Sequence, residues 1–73
     1  MTALQSRIVA LLRRRVSIPG HIVAASCAEL AERLGDGVTT RDVQAALAGL
    51  VSEEFFLGRP HLSSQEFMGR LPS

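Results

Sequence analysis

Two helix signatures lie close together in residues 26–51, separated by a turn of only a few residues. Ser26 precedes Glu29 by three residues, which is the spacing of a capping box and predicts a helix start at Ser26. A second helix is expected to begin at Thr39 or Thr40, because either hydroxyl can accept a hydrogen bond from the first turn. These signals constrain the chain to place two helices in succession around a short turn.

Both helices carry an apolar face. In the first, Leu30 and Leu34 share one side, and Gly35 then offers the left-handed backbone that ends many helices. In the second, apolar residues recur at i, i+4, i+7 and i+8, which is typical of a helix buried along one side. They are Val43, Leu47, Leu50 and Val51.

The flanking residues predict one more helix and three strands. Residues 3–15 have an amphipathic pattern with the period of a helix, and residues 21–25 form a short β-prone run. Residues 54–57 and 62–68 are expected to pair as a hairpin across a turn at residues 58–61. The predicted order along the chain is therefore helix, strand, helix, helix, strand, strand.

Residues 29–35, Glu-Leu-Ala-Glu-Arg-Leu-Gly, and residues 38–43, Val-Thr-Thr-Arg-Asp-Val, resemble the winged helix-turn-helix family. The order of the flanking elements extends the resemblance over nearly the whole chain. It implies an α+β fold, with three helices and a short antiparallel β-sheet, in a single domain of residues 1–73. The implied parts are a helix-turn-helix unit at about residues 26–53 and a wing at about residues 54–68. Residues 69–73 are expected to form a frayed tail.

The sequence departs from the family pattern at two places. Asp36 and Gly37 lengthen the turn between the two helices of the unit. After the second of these helices, where the family often has glycine, the chain has Glu53 and Glu54, although glycine or asparagine tolerates a positive φ better. We expect these differences to affect the partner and the local geometry more than the fold.

The resemblance implies double-stranded DNA as a partner and a small transcriptional regulator as the function. In that mechanism the helix that starts near Thr39 enters the major groove and reads base edges. An arginine side chain can bind the edge of guanine, and a glutamine side chain can bind the edge of adenine. Threonine hydroxyls and an arginine in the wing are expected to contact phosphates. The residues expected to bind nucleic acid are Thr39, Thr40, Arg41, Gln44 and Arg59.

The distribution of charge favours a different partner. Residues 1–28 hold four arginines and no acid, whereas residues 29–73, which contain most of the helix-turn-helix unit, hold four arginines and seven acids. Because affinity for DNA comes largely from neutralised phosphates, an acidic unit is poorly suited to it. The alternative function is a non-catalytic winged-helix module for protein–protein interaction, or a small subunit of a larger assembly.

Two surfaces are candidates for a partner. Small residues form an outward strip on the helix after Thr39, and its glycine, which costs a helix about 1 kcal/mol relative to alanine, suggests close approach by another subunit. Tolerance of small residues at an exposed face explains the strip equally well. The arginines of the first helix have two interpretations. They form a basic patch that binds phosphate or an acidic partner, or they stabilise the negatively charged C-terminal end of their own helix. The strip is Ala45, Ala48, Gly49 and Ser52, and the patch is Arg7, Arg13, Arg14 and Arg15.

Size and hydrophobic content predict association. Seventy-three residues form a marginal core, and a hydrophobic share of 47% exceeds what that core can hide, so a homodimer or another protein partner is expected. Cys27 is the only cysteine, which excludes an intrachain disulfide and suggests a small buried residue. Phe55, Phe56 and Phe67 either join the core or face a partner. Because neighbours on a strand point to opposite faces, Phe55 or Phe56 is expected to be exposed.

Several classes of function are not expected. The apolar run at residues 8–12 is too short to cross a bilayer, so no membrane contact is predicted. Arginines follow this run, unlike those of a signal peptide, and the predicted compartment is the cytoplasm. His21 and His61 stand outside any metal-binding or catalytic spacing, so no enzyme, cofactor or metal site is predicted.

Overall fold

The computed structural model describes residues 1–16, 18 and 20–72, and these residues form three helices and one three-stranded antiparallel sheet. This is the α+β composition that the sequence predicts. Pro19, which precedes the predicted first strand, and Ser73, the last residue of the predicted tail, lie outside the described residues. The elements, in chain order, are α1 (Ala3–Arg15), β1 (Ile22–Ser26), α2 (Cys27–Leu34), α3 (Thr40–Ser52), β2 (Leu57–Leu62) and β3 (Glu66–Arg70).

Side-chain caps fix the starts of α2 and α3. Thr39 caps α3: the Asp42 N–H donates to Thr39 Oγ1 at 3.1 Å, and the Thr39 N–H donates to Asp42 Oδ2 at 3.0 Å. At α2, the Glu29 N–H donates to Ser26 Oγ at 3.1 Å, as the spacing predicts. The Glu29 carboxylate does not close the box, because it pairs with an arginine of α1 instead.

The sheet has β3 in the centre, with β1 and β2 on either side. Both neighbours run antiparallel to β3, and Ala24 and His61 stand opposite Met68. Side chains alternate across a strand, so Val23 and Phe67 face the helices whereas Ala24, Met68 and His61 face away. The sheet therefore has one face covered by helices and one open face.

The core fills the space between the helices and the covered face of the sheet. The predicted apolar faces of α2 and α3 are confirmed, and the lone cysteine is buried among them. Removing a side chain such as that of Leu47 from water stabilises the fold by roughly 1.5–3 kcal/mol. The fully buried side chains are Ile8, Leu12, Cys27, Leu30, Val43, Leu47, Leu50 and Phe67.

The predicted hairpin forms, but its turn lies later in the chain than the sequence predicts. The predicted turn at residues 58–61 lies inside β2, and the chain reverses at residues 63–65. Pro60 lacks an N–H but is tolerated because β2 lies at the edge, and Gly58 takes a φ of 72° at an irregularity in the pairing. Ser63 makes the actual turn, since its Oγ accepts the first N–H of β3 at 3.0 Å.

Two further predictions for the C-terminal part are wrong. Phe56 is 5% exposed and packs on Phe67 with ring centroids 4.6 Å apart, and Phe55 is half-buried with its ring edge-on to Phe56. Neither phenylalanine is exposed, because both precede β2 and do not follow strand alternation. The tail does not fray from Gly69, since it continues β3 and then buries Leu71.

α3 ends in a Schellman motif whose left-handed residue is a glutamate. The Phe55 N–H donates to Leu50 O at 3.0 Å, and the Glu54 N–H donates to Val51 O at 3.1 Å. Glu54 has a φ of 56°, a conformation in which the Cβ of any residue other than glycine is crowded. The glutamate thus occupies the position after a helix that glycine most often takes.

The helices are short. α1 and α3 have 13 residues each and α2 has 8. A helix needs about 20 apolar residues to cross a bilayer. Among the described residues, no helix has both the length and the apolar character for this.

Candidate interaction surfaces

The start of α3 lies on an exposed face that it shares with the start of α2 and the β2–β3 turn; we call it the α3-start face. Arg41 is exposed there and makes no side-chain hydrogen bond or ion pair with another described residue. Gln44 is half-buried one turn later. A shallow depression crosses this face, and it is lined by Ser26, Ala28, Thr40, Gln65 and Glu66.

Acidic groups occupy the α3-start face. A hydrogen bond from the Thr39 backbone N–H lowers the pKa of the Asp42 carboxyl, which is therefore ionised at neutral pH. This carboxylate already complements the positive end of the α3 dipole. Glu66 adds a second carboxylate near Thr40. A phosphate that approaches Arg41 would therefore meet two negative charges as well.

Arg59 is not part of the α3-start face. It is exposed in β2 and lies in a depression beside the end of α3, where Val51 and Glu54 contribute to the wall. The helix between Arg41 and Val51 spans about 15 Å. The structure thus separates Arg59 from the other four residues predicted to bind nucleic acid, because the hairpin turn comes later in the chain than predicted.

Gly49 does not lie on an outward strip, contrary to the prediction. Gln5 Nε2 is 2.8 Å from the position that a Cβ on residue 49 would take, and the same nitrogen donates to Ala46 O at 3.2 Å. The close approach that the glycine suggested is therefore made by α1 of the same chain. The remaining residues of the strip, whose role in a partner interface stays a prediction, are Ala45, Ala48 and Ser52.

The predicted basic patch does not form one surface. Arg7 Nη2 donates to Leu34 O at 2.7 Å and lies 3.6 Å from Asp36 Oδ2, so this side chain caps the end of α2. Arg13 Nη1 donates to Pro72 O at 3.2 Å, near the end of the chain. Successive helix residues point about 100° apart, so Arg13, Arg14 and Arg15 point to different sides of α1, whereas Arg7 shares a side with Arg14 two turns away. Arg14 and Arg15 line a groove between α1 and α2.

The α1–α2 groove holds three guanidinium groups around one carboxylate. Arg15 Nη2 lies 2.6 Å from Glu29 Oε2, and Arg33 Nε lies 3.5 Å from the same oxygen. The hydrogen bond from Arg15, helped by Arg33, lowers the pKa of Glu29. Arg14 makes no side-chain hydrogen bond or ion pair with another described residue. The groove is lined by Leu11, Arg14, Arg15, Glu29 and Arg33.

Sequence reasoning missed the contribution of α2 to this basic surface. Glu29 and Arg33 are four residues apart on a helix, a spacing at which opposite charges meet. That signal was available from the sequence. The approach of Arg15 was not, because it depends on how α1 packs against α2 and β1.

The open face of the sheet carries apolar side chains. Ile22 is 55% exposed, Leu57 49% and Met68 45%. Arg70 stands between Ile22 and Leu57 across the three strands, and Met68 precedes it by two residues on the same face. Sequence reasoning did not single out Ile22 and Met68, although the alternation of Glu66, Met68 and Arg70 with buried neighbours was a readable signal.

The cysteine and the two histidines lie apart from one another in the described structure. Cys27 is fully buried, and burial raises the pKa of its thiol, which keeps it protonated and unreactive. His21 precedes β1 and His61 lies in β2, and both are exposed. Within the described part of the chain, no three His, Cys, Asp or Glu side chains come together as metal ligands.

Comparison with known proteins yields no relative. No family model, no curated protein and no solved structure matches this chain. The function of this chain is therefore inferred from its own surfaces.

Proposed function

We propose that this chain is a winged-helix domain that serves as a non-catalytic protein-interaction module. The element order α1-β1-α2-α3-β2-β3, with β3 between β1 and β2, supports the winged-helix assignment. Two capped helices in succession, followed by a hairpin, are the parts that this fold requires. Since one fold hosts many functions, the partner is inferred from the surfaces.

The positions of the arginines carry the proposal. Arg14, Arg41 and Arg59 make no side-chain hydrogen bond or ion pair within the described residues. Arg14 lies in the α1–α2 groove, Arg41 on the α3-start face, and Arg59 beside the end of α3. DNA binding requires several cations along one phosphate track, and this arrangement supplies few. The arginines already engaged within the chain are Arg7, Arg13, Arg15, Arg33 and Arg70.

The open sheet face supports a protein partner in addition. Isolated exposed apolar side chains are normal at a protein surface. Here Ile22, Leu57 and Met68 share one face of a small sheet around Arg70, so a single partner surface can cover all three. Burial of this group would contribute to binding in a way that salt does not screen.

Duplex DNA is the second candidate, and one observation favours it. Arg41 is exposed in the first turn of α3, the helix that in a winged helix enters the major groove. In this alternative Thr39 and Thr40 hold phosphate, Gln44 reads a base edge, and Arg59 contacts the backbone farther away.

Size-exclusion chromatography with light scattering separates the two candidates. The chain is run with and without random-sequence duplex DNA, at about 50 mM and about 200 mM salt. The proposal expects an elution and a mass that DNA leaves unchanged at both salt concentrations. Arg41→Gln and Arg14→Gln form a matched pair, since each removes one charge and only the first changes the α3-start face. A DNA complex that is lost at the higher salt and with Arg41→Gln alone would overturn the proposal.

A further inference from the structure

We propose that the free edge of β1 and the α1–α2 groove together bind an extended acidic segment of a protein partner, which adds to the sheet as a strand beside β1. The inference rests on the proposed interaction function and names the partner's chemistry. Strand addition supplies backbone hydrogen bonds, and side-chain sites on either side of the new strand supply specificity.

β1 offers an unpaired edge. In the described sheet it pairs with β3 on one side, and its other side has no strand. Residues of an antiparallel strand alternate in pointing their N–H and C=O toward the partner strand. Cys27 N–H donates to Gln65 O, on the β3 side, which places the backbone groups of Ile22 and Ala24 on the free side. An incoming strand can donate to and accept from these two residues.

A hydrogen bond from Arg15 confirms which backbone groups of β1 point to the free side. Arg15 Nη1 donates to Ala24 O at 3.4 Å, so the Ala24 carbonyl points away from β3. Charged side chains over a strand edge discourage uncontrolled pairing. This long, exposed bond is weak, and an incoming backbone N–H can replace it while the guanidinium turns to a carboxylate of the partner.

The α1–α2 groove lies next to the same edge and selects acidic side chains. Arg15 and Glu29 line both the groove and the adjoining depression over Ala24 and Met68, which makes the two surfaces continuous. Over the two surfaces together, the guanidinium groups of Arg14, Arg15 and Arg33 stand against the carboxylates of Glu29 and Glu66, so a net positive charge remains. Arg14 and the terminal nitrogens of Arg33 make no hydrogen bond or ion pair with described residues and are open to carboxylates.

These two features together define the pattern of the partner. A strand added beside β1 points alternate side chains to opposite faces of the sheet. Side chains on the helix side meet the guanidinium groups, and those on the open side extend the apolar surface of Ile22 and Met68. The expected segment therefore alternates acidic and apolar residues.

Fluorescence anisotropy with labelled model peptides tests the inference. The first peptide alternates glutamate and valine, and a second alternates glutamate and proline, which keeps the charge but removes backbone donors from every second position. The account expects saturable binding of the first peptide and at least about tenfold weaker binding of the second, because hydrogen bonds to β1 are lost. No binding of the glutamate–valine peptide at about 1 mM, or equal affinity for both peptides, would overturn the inference.

A pair of charge-matched variants locates the site. Arg14→Gln with Arg33→Gln should weaken binding of the glutamate–valine peptide at least about tenfold, because both guanidinium groups face the groove. Arg41→Gln with Arg59→Gln removes the same charge elsewhere and should leave the affinity within about twofold. Equal losses in the two variants, or displacement of the peptide by duplex DNA, would contradict a peptide site in the groove. If the peptides fail while DNA still leaves the elution unchanged, the inference falls and the interaction module stands.

Discussion

Gln5 of α1 lies against Gly49 of α3, with Nε2 only 2.8 Å from the place of a Cβ on residue 49. Gln5 is itself 7% exposed and is held by its bond to Ala46 O and by a capping box with Thr2. A glycine in the last turn of α3 thus has a packing reason within the chain. The contact joins the first and third helices.

The Gln5–Gly49 contact predicts coupled effects on stability. Gly49→Ala improves helix propensity by about 1 kcal/mol but displaces the Gln5 amide and its hydrogen bond, worth about 1 kcal/mol, so the single variant should change little. In a Gln5→Ala background the same substitution should stabilise by about 1 kcal/mol. Urea unfolding of the four proteins of this cycle measures the coupling. Equal effects in both backgrounds would show that the contact does not constrain residue 49.

Replacement of the left-handed glutamate should stabilise the chain. Glu54→Gly relieves a non-glycine residue at a φ of 56° and should raise the free energy of unfolding by about 0.5–1 kcal/mol. Glu53 has a φ of −82°, so Glu53→Gly is the matched control and should be neutral or destabilising. Chemical denaturation compares the midpoints, and a gain from both substitutions would point to removal of charge instead.

Arg7 should matter through its hydrogen bond more than through its ion pair. Arg7→Met keeps much of the apolar stem but leaves Leu34 O without this donor, and should cost about 1–2 kcal/mol. Asp36→Asn removes only an exposed partner 3.6 Å away and should cost less than about 0.5 kcal/mol. Thermal and urea unfolding measure both. Equal losses would mean that the ion pair carries the effect.

Acid should weaken the fold through two carboxylates. A hydrogen bond from Thr39 lowers the pKa of Asp42, and one from Arg15 lowers that of Glu29. As the pH falls below about 4, the unfolded carboxyls take up protons before the folded ones, so stability is fully present above this range and declines through the folded pKa values. Asp42→Asn keeps an acceptor for the Thr39 N–H and should flatten the decline. Glu32→Gln removes one exposed carboxylate elsewhere and is the charge-matched control. Unfolding curves at a series of pH values give the free energy of unfolding. The prediction is contradicted if this free energy declines equally in the parent and in both variants.

The sequence predicts structural features that depend on nearby residues better than features that depend on residues far apart in the chain. The caps at Ser26 and Thr39 and the apolar stripe of α3 depend on residues three to eight positions apart, and the structure confirms them. The hairpin turn was misplaced because Gly58 and Pro60 read as a turn, whereas their tolerance in β2 depends on its place at the sheet edge. Edge position is set by the assembled sheet and leaves no local mark.

The same difference between local and long-range features holds for the candidate surfaces. Exposure of Arg41 follows from the helix period, which the sequence contains. Gly49 and Arg7 were assigned to outer surfaces because their true neighbours, Gln5 and Leu34, are far away in the sequence. The groove that unites arginines of α1 and α2 likewise exists only after the helices pack.

Backbone amide chemical shifts test the central claim most directly. The chain, uniformly labelled with 15N, is titrated with the glutamate–valine peptide and separately with duplex DNA. The account predicts that the peptide shifts the amides of Ile22 and Ala24 more than those of Val23 and Ala25, and that DNA shifts neither set nor Arg41. A salt-sensitive shift of the Arg41 amide with DNA, and none at β1 with the peptide, would contradict it.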